Sequence, residues 1–185
     1  FSGLANGGHF SQGASTITQQ LLKNNFFSTW TDENTFKDKL DRKIQEQYLA
    51  VQLEKVTSKE EILENYLNTI NLGQNTLGVE AASQRYFNKN VSDLNLSECA
   101  VIAGITQNPT RYNPITHPKN NAVRRETVLK NMLDQGYITE KEYQTAMDDD
   151  VYSRIATVNA DHGDTATSYF IDALTDQVVG DMMKE

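Results

Sequence analysis

One cysteine in 185 residues, Cys99, excludes an internal disulfide framework. Its setting beside the apolar run Ala100-Val101-Ile102-Ala103 predicts a buried, unreactive thiol. Nowhere do about 18 apolar residues follow one another, so no segment of the sequence reads as a membrane-spanning helix. The three histidines, His9, His117 and His162, share no ligand spacing, and no protein-built metal site is expected. Positive charge is in short supply. With 17 Lys and Arg against 25 Asp and Glu, the net charge of -8 argues against general nucleic-acid binding. A signal peptide, an initiating methionine, an internal repeat and a low-complexity tract are all missing as well, and the expectation is a piece excised from a longer chain.

What is present is unevenly placed. Residues 1–50 carry five basic and five acidic side chains, so the whole net negative charge falls after residue 50. An anion-binding site is therefore sought in the first fifty residues. There, Phe1–Gln12 is rich in Gly, Ser and Asn and reads as a loop, followed by a helix from about Ser15 to Asn25. Ser15 and Thr16 are N-cap candidates, and a helix N-terminus attracts anions. Gln19 and Lys23 stand four apart and share a face; with Gln20 they offer amides and an ammonium suited to phosphate and sugar oxygens. The plainer alternative is a capped amphipathic helix with Ile17, Leu21 and Leu22 packed inward.

Phe26, Phe27 and Trp30 cluster next, and read either as core plugs or as a lip touching a bilayer interface. From Leu40 to Glu54 the periodicity is helical, with Leu40, Ile44, Tyr48 and Val51 on one stripe. Arg42 and Lys43 lie four and three residues before Glu46 on the other side. A solvated ion pair is the commonest fate of such residues. Capping signals open further helices at Ser58, Asn95 and Thr139. Another helix spans about Val79–Phe87, and Pro118 opens one that runs through Leu133 until Gly136 stops it. Asn108–Pro114 reads as a turn-rich loop. The acidic run Asp148-Asp149-Asp150 marks a composition change; residues 151–165 read as an extended linker, and Tyr169, Phe170, Ala173, Leu174, Gln177 and Val178 as a final amphipathic helix.

Taken in order, from about Gln12 to Ala146, these segments resemble the peptidoglycan glycosyltransferases that open class A penicillin-binding proteins. Gly13-Ala14-Ser15-Thr16-Ile17-Thr18-Gln19-Gln20-Leu21-Leu22-Lys23-Asn24 is similar to the family's second motif, and Arg42-Lys43-Ile44-Gln45-Glu46 to its third. Glu61–Asn68 with Gly73, Gly78–Ala82 and Tyr86-Phe87 resembles the fourth. Asn71 stands where an aromatic is more usual, so no substrate role is carried onto it. Arg124-Arg125 with Val128, Leu129 and Met132 resembles the fifth, where both arginines are expected to be structural and to pair with acidic helix faces.

The resemblance implies an all-α, lysozyme-like multi-helix fold with a cleft and a flexible membrane-facing lip. It implies a glycosyltransferase domain over 1–150 and, over 151–185, a linker and helix leading toward a transpeptidase domain, whose S-x-x-K motif is not in this sequence. The implied reaction polymerises lipid II into glycan strands with release of polyprenyl pyrophosphate. Ser15, Thr16, Gln19, Gln20, Lys23, Arg42 and Lys43 are the implied substrate-binding residues, and Glu46 a supporting catalytic carboxylate. A divalent cation bound with the pyrophosphate is the one cofactor the resemblance allows. Lipid II, the growing strand, the membrane surface and a transpeptidase domain in the same chain are the implied partners, with no nucleic acid, at the outer face of a bacterial cytoplasmic membrane. The family's general base is a glutamate in a motif E-D-x-x-F ahead of the second; Phe1–Gln12 has no carboxylate, so the piece by itself is expected to be inactive. A lysozyme-like glycan hydrolase and a non-catalytic lipid-II-binding scaffold are the competing expectations.

Overall fold

The computed structural model describes residues 15–27 and 35–160. The N-terminal loop, Trp30 of the aromatic cluster and the final helix around Tyr169 lie outside the described residues. Among the described residues the regular structure is helical: α1 (Ile17–Phe26), α2 (Phe36–Val56), α3 (Lys59–Thr69), α4 (Val79–Phe87), α5 (Leu96–Ile105), α6 (Pro118–Asp134), α7 (Glu140–Asp148) and α8 (Val151–Asn159), with a 3-10 turn at Val91–Asp93. An isolated bridge between Asn71 and Leu77 is the sole extended pairing among them. The all-α expectation holds. The chain divides into two compact units, Phe1–Ala81 and Ala82–Glu185.

The helices start where local chemistry dictates. Thr16, Ser58, Asn95 and Thr139 each accept from the backbone N–H three residues on, and Gln19, Glu61, Glu98 and Glu142 return the bond to the cap's own N–H. Each such cap is worth about 1 kcal/mol, because it satisfies N–H groups that the helix leaves without partners. α2 begins earlier than periodicity suggests: Thr35 is its N-cap, accepting from the Asp38 N–H at 3.1 Å.

In the first unit, α1 packs on both α2 and α3. Leu21 and Leu22 of α1, Ala50 of α2, and Ile62, Tyr66, Ile70 and Leu72 supply the buried apolar surface. Ile17 is exposed, so only part of the inward-packed set is buried. α2 inverts the usual pattern. Its apolar stripe of Leu40, Ile44, Tyr48 and Val51 is exposed, and its buried residues are Glu46 and Ala50.

In the second unit, Ala100, Leu129 and Ala146 form a buried cluster covered by Leu96, Val128, Ile138, Tyr143 and Met147. Three expectations need correction here. Residues 151–159 are helix α8 rather than extended linker, because Val151 and Ile155, four apart, are both fully buried. Arg125 is structural, but its guanidinium holds the Met147 and Asp149 carbonyls and the Ser97 hydroxyl, not an acidic face. Cys99 is exposed; the surrounding protein, ahead of the Glu98 charge, nevertheless raises its thiol above the ordinary range.

Candidate functional site

Of the side chains singled out in the first fifty residues, Ser15, Gln19, Arg42, Lys43 and Glu46 are linked where α1 lies against α2. Glu46 is the anchor. Its carboxylate has no exposed surface; Oε1 accepts from Arg42 Nη1, and Oε2 accepts from Lys43 Nζ at 2.7 Å. The solvated pair expected of these residues is thus a buried carboxylate held by two cations. Lys43 Nζ also donates to Ser15 Oγ at 2.9 Å, just ahead of α1, so one ammonium ties both segments.

Lys23, one turn along α1 from Gln19, belongs to the same electrostatic neighbourhood. Desolvation lowers its ammonium pKa, the Lys43 charge lowers it further, Glu46 opposes, and Arg42 adds to the lowering. Lys23, Arg42 and Lys43 thus form a cationic group about the Glu46 carboxylate. The arrangement suits an anionic, oxygen-rich ligand.

The amides take other parts. Thr16 uses its hydroxyl as the α1 cap. Gln19 Oε1 accepts the Thr16 N–H at 3.0 Å, and Gln19 Nε2 donates to Gln47 Oε1 on α2. Gln20 turns toward α3: its Nε2 donates to the Ser15 carbonyl at 3.3 Å, and its Oε1 accepts from Tyr66 OH at 3.4 Å. Both ends of Gln20 are thereby engaged within the protein. Glu54, part of the Leu53-Glu54 pair that fits the family after its third motif, accepts from the buried Thr18 hydroxyl at 2.6 Å, whereas sequence reasoning passed over Gln47. The signal was available for Gln47, four residues after Lys43 as Gln19 is four after Ser15.

At the end of α1 and along the exposed stripe of α2, Phe26, Phe27, Ile44, Gln45, Tyr48 and Leu49 line a groove of about 500 Å³. Phe26, Ile44, Tyr48 and Leu49 are exposed. The charged group and an apolar channel thus lie on the same two helices. The donor set suits an anion better than a resident divalent cation, since its one carboxylate is already occupied by Arg42 and Lys43.

Residues 2–133 match the family model described as Transglycosylase. Over 143 residues the chain is 52% identical to penicillin-binding protein 1A of Clostridium botulinum, covering 75% of this chain and 16% of that protein. It is 43% identical over 171 residues to penicillin-binding protein 1A of Aquifex aeolicus, covering 92% of this chain and 22% of that protein. The chain thus spans about a fifth of the length of these curated relatives. The crystal structure of penicillin-binding protein 1A from Haemophilus influenzae matches with 46% identity and a TM-score of 0.49, over 50% of this chain and 14% of that one.

Proposed function

The chain belongs to the transglycosylase family, the glycosyltransferase domain of class A penicillin-binding proteins, and from that membership we propose that its α1–α2 face holds the diphosphate of a lipid-linked sugar during glycan polymerisation. The observation that carries this reading is the crowding of Lys23, Arg42 and Lys43 around the single buried carboxylate of Glu46. A leaving diphosphate gains charge as its bond to the anomeric carbon breaks, and pre-placed cations stabilise that charge most in the transition state. Arginine supplies a planar fork and lysine a compact charge.

The reaction forms one bond, from the acceptor hydroxyl oxygen to the anomeric carbon, and breaks one, from that carbon to the diphosphate oxygen. The hydroxyl proton goes to a carboxylate. Glu46 is poorly suited to receive it, being buried and bonded to two cations; in this reading it sets the positions of Arg42 and Lys43, and the proton falls to the first-motif glutamate of the family. A divalent cation, where one takes part, would be bound with the diphosphate and supply further positive charge. On this reading the apolar groove on the same two helices takes the lipid side of the substrate, and the site works at the outer face of the membrane. Lipid II, the growing strand and a transpeptidase domain in the same protein are partners on this reading.

A glycan hydrolase needs two carboxylates and a water between them rather than a group of cations, and the α1–α2 face does not favour it. The test is turnover of lipid II by the protein carrying this chain. Lys23→Ala and Arg42→Ala should each depress polymerisation about a hundredfold, the scale of losing one pre-placed donor to a developing anion. Near-normal rates in both variants would remove the diphosphate from this face.

A further inference from the structure

The hydrogen bonds across the α1–α2 seam fix which way each amide points. A backbone N–H can only donate, so the bond from Thr16 N at 3.0 Å identifies the Gln19 atom that receives it as Oε1. The other end of Gln19 is then its NH2 group, and that end faces Gln47. Gln47 must meet a donor with its own oxygen. Its NH2 group is left on the far side of the carboxamide, and among the described residues nothing accepts from it, on a side chain that is itself exposed.

Gln47 lies one turn after Lys43 on α2. Ser15 bonds Lys43 and Gln19 bonds Gln47, so the two contacts are separated by four residues on each strand of the seam. Four residues are about one helical turn, roughly 6 Å, and i and i+4 share a face. Gln47 therefore follows Lys43 by one turn along the same face of α2, a separation that donors reaching oxygens at the two ends of a diphosphate can span.

We propose that Gln47 is a ligand-contacting residue of this site, its carboxamide N–H donating to an oxygen of the diphosphate that Arg42 and Lys43 hold. Gln19, whose two ends are both engaged within the protein, acts as the positioning residue that keeps the Gln47 amide from flipping. The proposal rests on the diphosphate reading of the α1–α2 face. It transfers the ligand-orienting task from an amide of the recognised motif to one that lies just outside it.

Inorganic pyrophosphate is the probe. The side-chain amide resonances of Gln19 and Gln47 are assigned in the 15N-labelled chain by their loss in Gln19→Ala and Gln47→Ala. On titration with pyrophosphate the Gln47 pair should shift at saturation and the Gln19 pair should move little. Gln47→Ala should weaken binding about tenfold, the share of one hydrogen bond to a charged oxygen. Gln19→Ala should weaken it less and broaden the Gln47 amide, because the carboxamide is then free to flip. Arg42→Ala separates the two claims. Loss of binding in Arg42→Ala, together with wild-type affinity in Gln47→Ala and a stationary Gln47 amide, would overturn the role of Gln47 and leave the diphosphate site standing. Unchanged binding in Arg42→Ala, or none in the parent chain, would overturn both.

Discussion

Lys43 and Glu46 meet across one turn of α2, with Nζ 2.7 Å from Oε2 of a carboxylate that has no exposed surface. Arg42, 12% exposed, completes the pairing from the other side. Removing one member of a buried pair leaves an uncompensated charge, which costs about 3–5 kcal/mol. Lys43 still reaches water, so the low end applies. Glu46→Gln is expected to lower stability by about 3 kcal/mol, read as a fall in the urea midpoint at unchanged slope. A midpoint within experimental scatter of the parent would show that Glu46 does not organise the cations.

The same carboxylate supports the charge on Lys23, whose ammonium pKa already lies below 10.5 through desolvation and the Lys43 charge. Taking Glu46 away removes an influence that raises it. In Glu46→Gln the Lys23 pKa should fall further, as followed by NMR at its ε-methylene. The linkage has a definite sign. The folded state holds its Lys23 proton less tightly than the unfolded state, so the charged ammonium destabilises fully below the folded pKa. That penalty is relieved as pH rises from the folded value toward 10.5. Lys23→Met should flatten this alkaline rise in stability.

How much of this was legible beforehand differs by level. The four capping boxes were readable because each is a local contract between residues three apart. The grouping of Lys23, Arg42, Lys43 and Glu46 was suggested by motif order, and their spacing on two helices agrees with it. The burial of Glu46 was not legible: α2 turns its charged face inward and its apolar stripe outward, and periodicity gives two faces without saying which is covered. α8 was missed because Asp148–Asp150 looked like a boundary, although Val151 and Ile155 carried the i, i+4 signal. Asp149 instead holds the Arg154 guanidinium with bonds of 2.6 and 2.7 Å.

Glu98 contributes to acid behaviour in the second unit. Burial alone would raise its carboxyl, but the Lys89 ammonium, the Asn95 N–H and the Arg154 charge outweigh that and hold it below 4.5. A carboxyl depressed by folding stabilises above its unfolded value, and that contribution is lost as pH falls from about 4.5 through the folded value. Lys89→Met removes the largest of the lowering influences. Its acid-unfolding midpoint, measured by circular dichroism, should therefore move to higher pH. A midpoint that stays put would dismiss the Lys89 contacts of 2.8 and 3.0 Å as energetically idle.

Asn121, fully buried, joins three parts of the second unit. Its Nδ2 donates to the Val101 and Tyr112 carbonyls at 3.2 and 2.8 Å, and its Oδ1 accepts from Tyr152 OH at 2.7 Å. Tyr152→Phe keeps the ring and its contact with the Arg125 guanidinium but leaves Oδ1 without its donor. A buried acceptor left unpaired costs about 1–3 kcal/mol. Thermal unfolding of Tyr152→Phe should report a loss in that range. No loss would mean that α8 is held by Val151 and Ile155 alone.

Two glycines offer a controlled comparison of strain against crowding. Gly78 and Gly136 both have positive φ, 86° and 75°, so a side chain at either meets the left-handed penalty of about 1–2 kcal/mol. They differ in surroundings. A Cβ at Gly136 would meet nothing within 4 Å, whereas one at Gly78 would stand 2.5 Å from the Asn68 carbonyl oxygen. That carbonyl is backbone at the end of α3, and the Gly78 N–H itself donates to the Ile70 carbonyl at 2.8 Å, so the segment cannot swing aside without losing a bond. Gly136→Ala should therefore cost about 1 kcal/mol, and Gly78→Ala about 3 kcal/mol or more, in the tail reserved for core clashes. Equal losses in the two variants, measured by chemical denaturation, would show that the backbone angle alone sets the requirement for glycine at both turns.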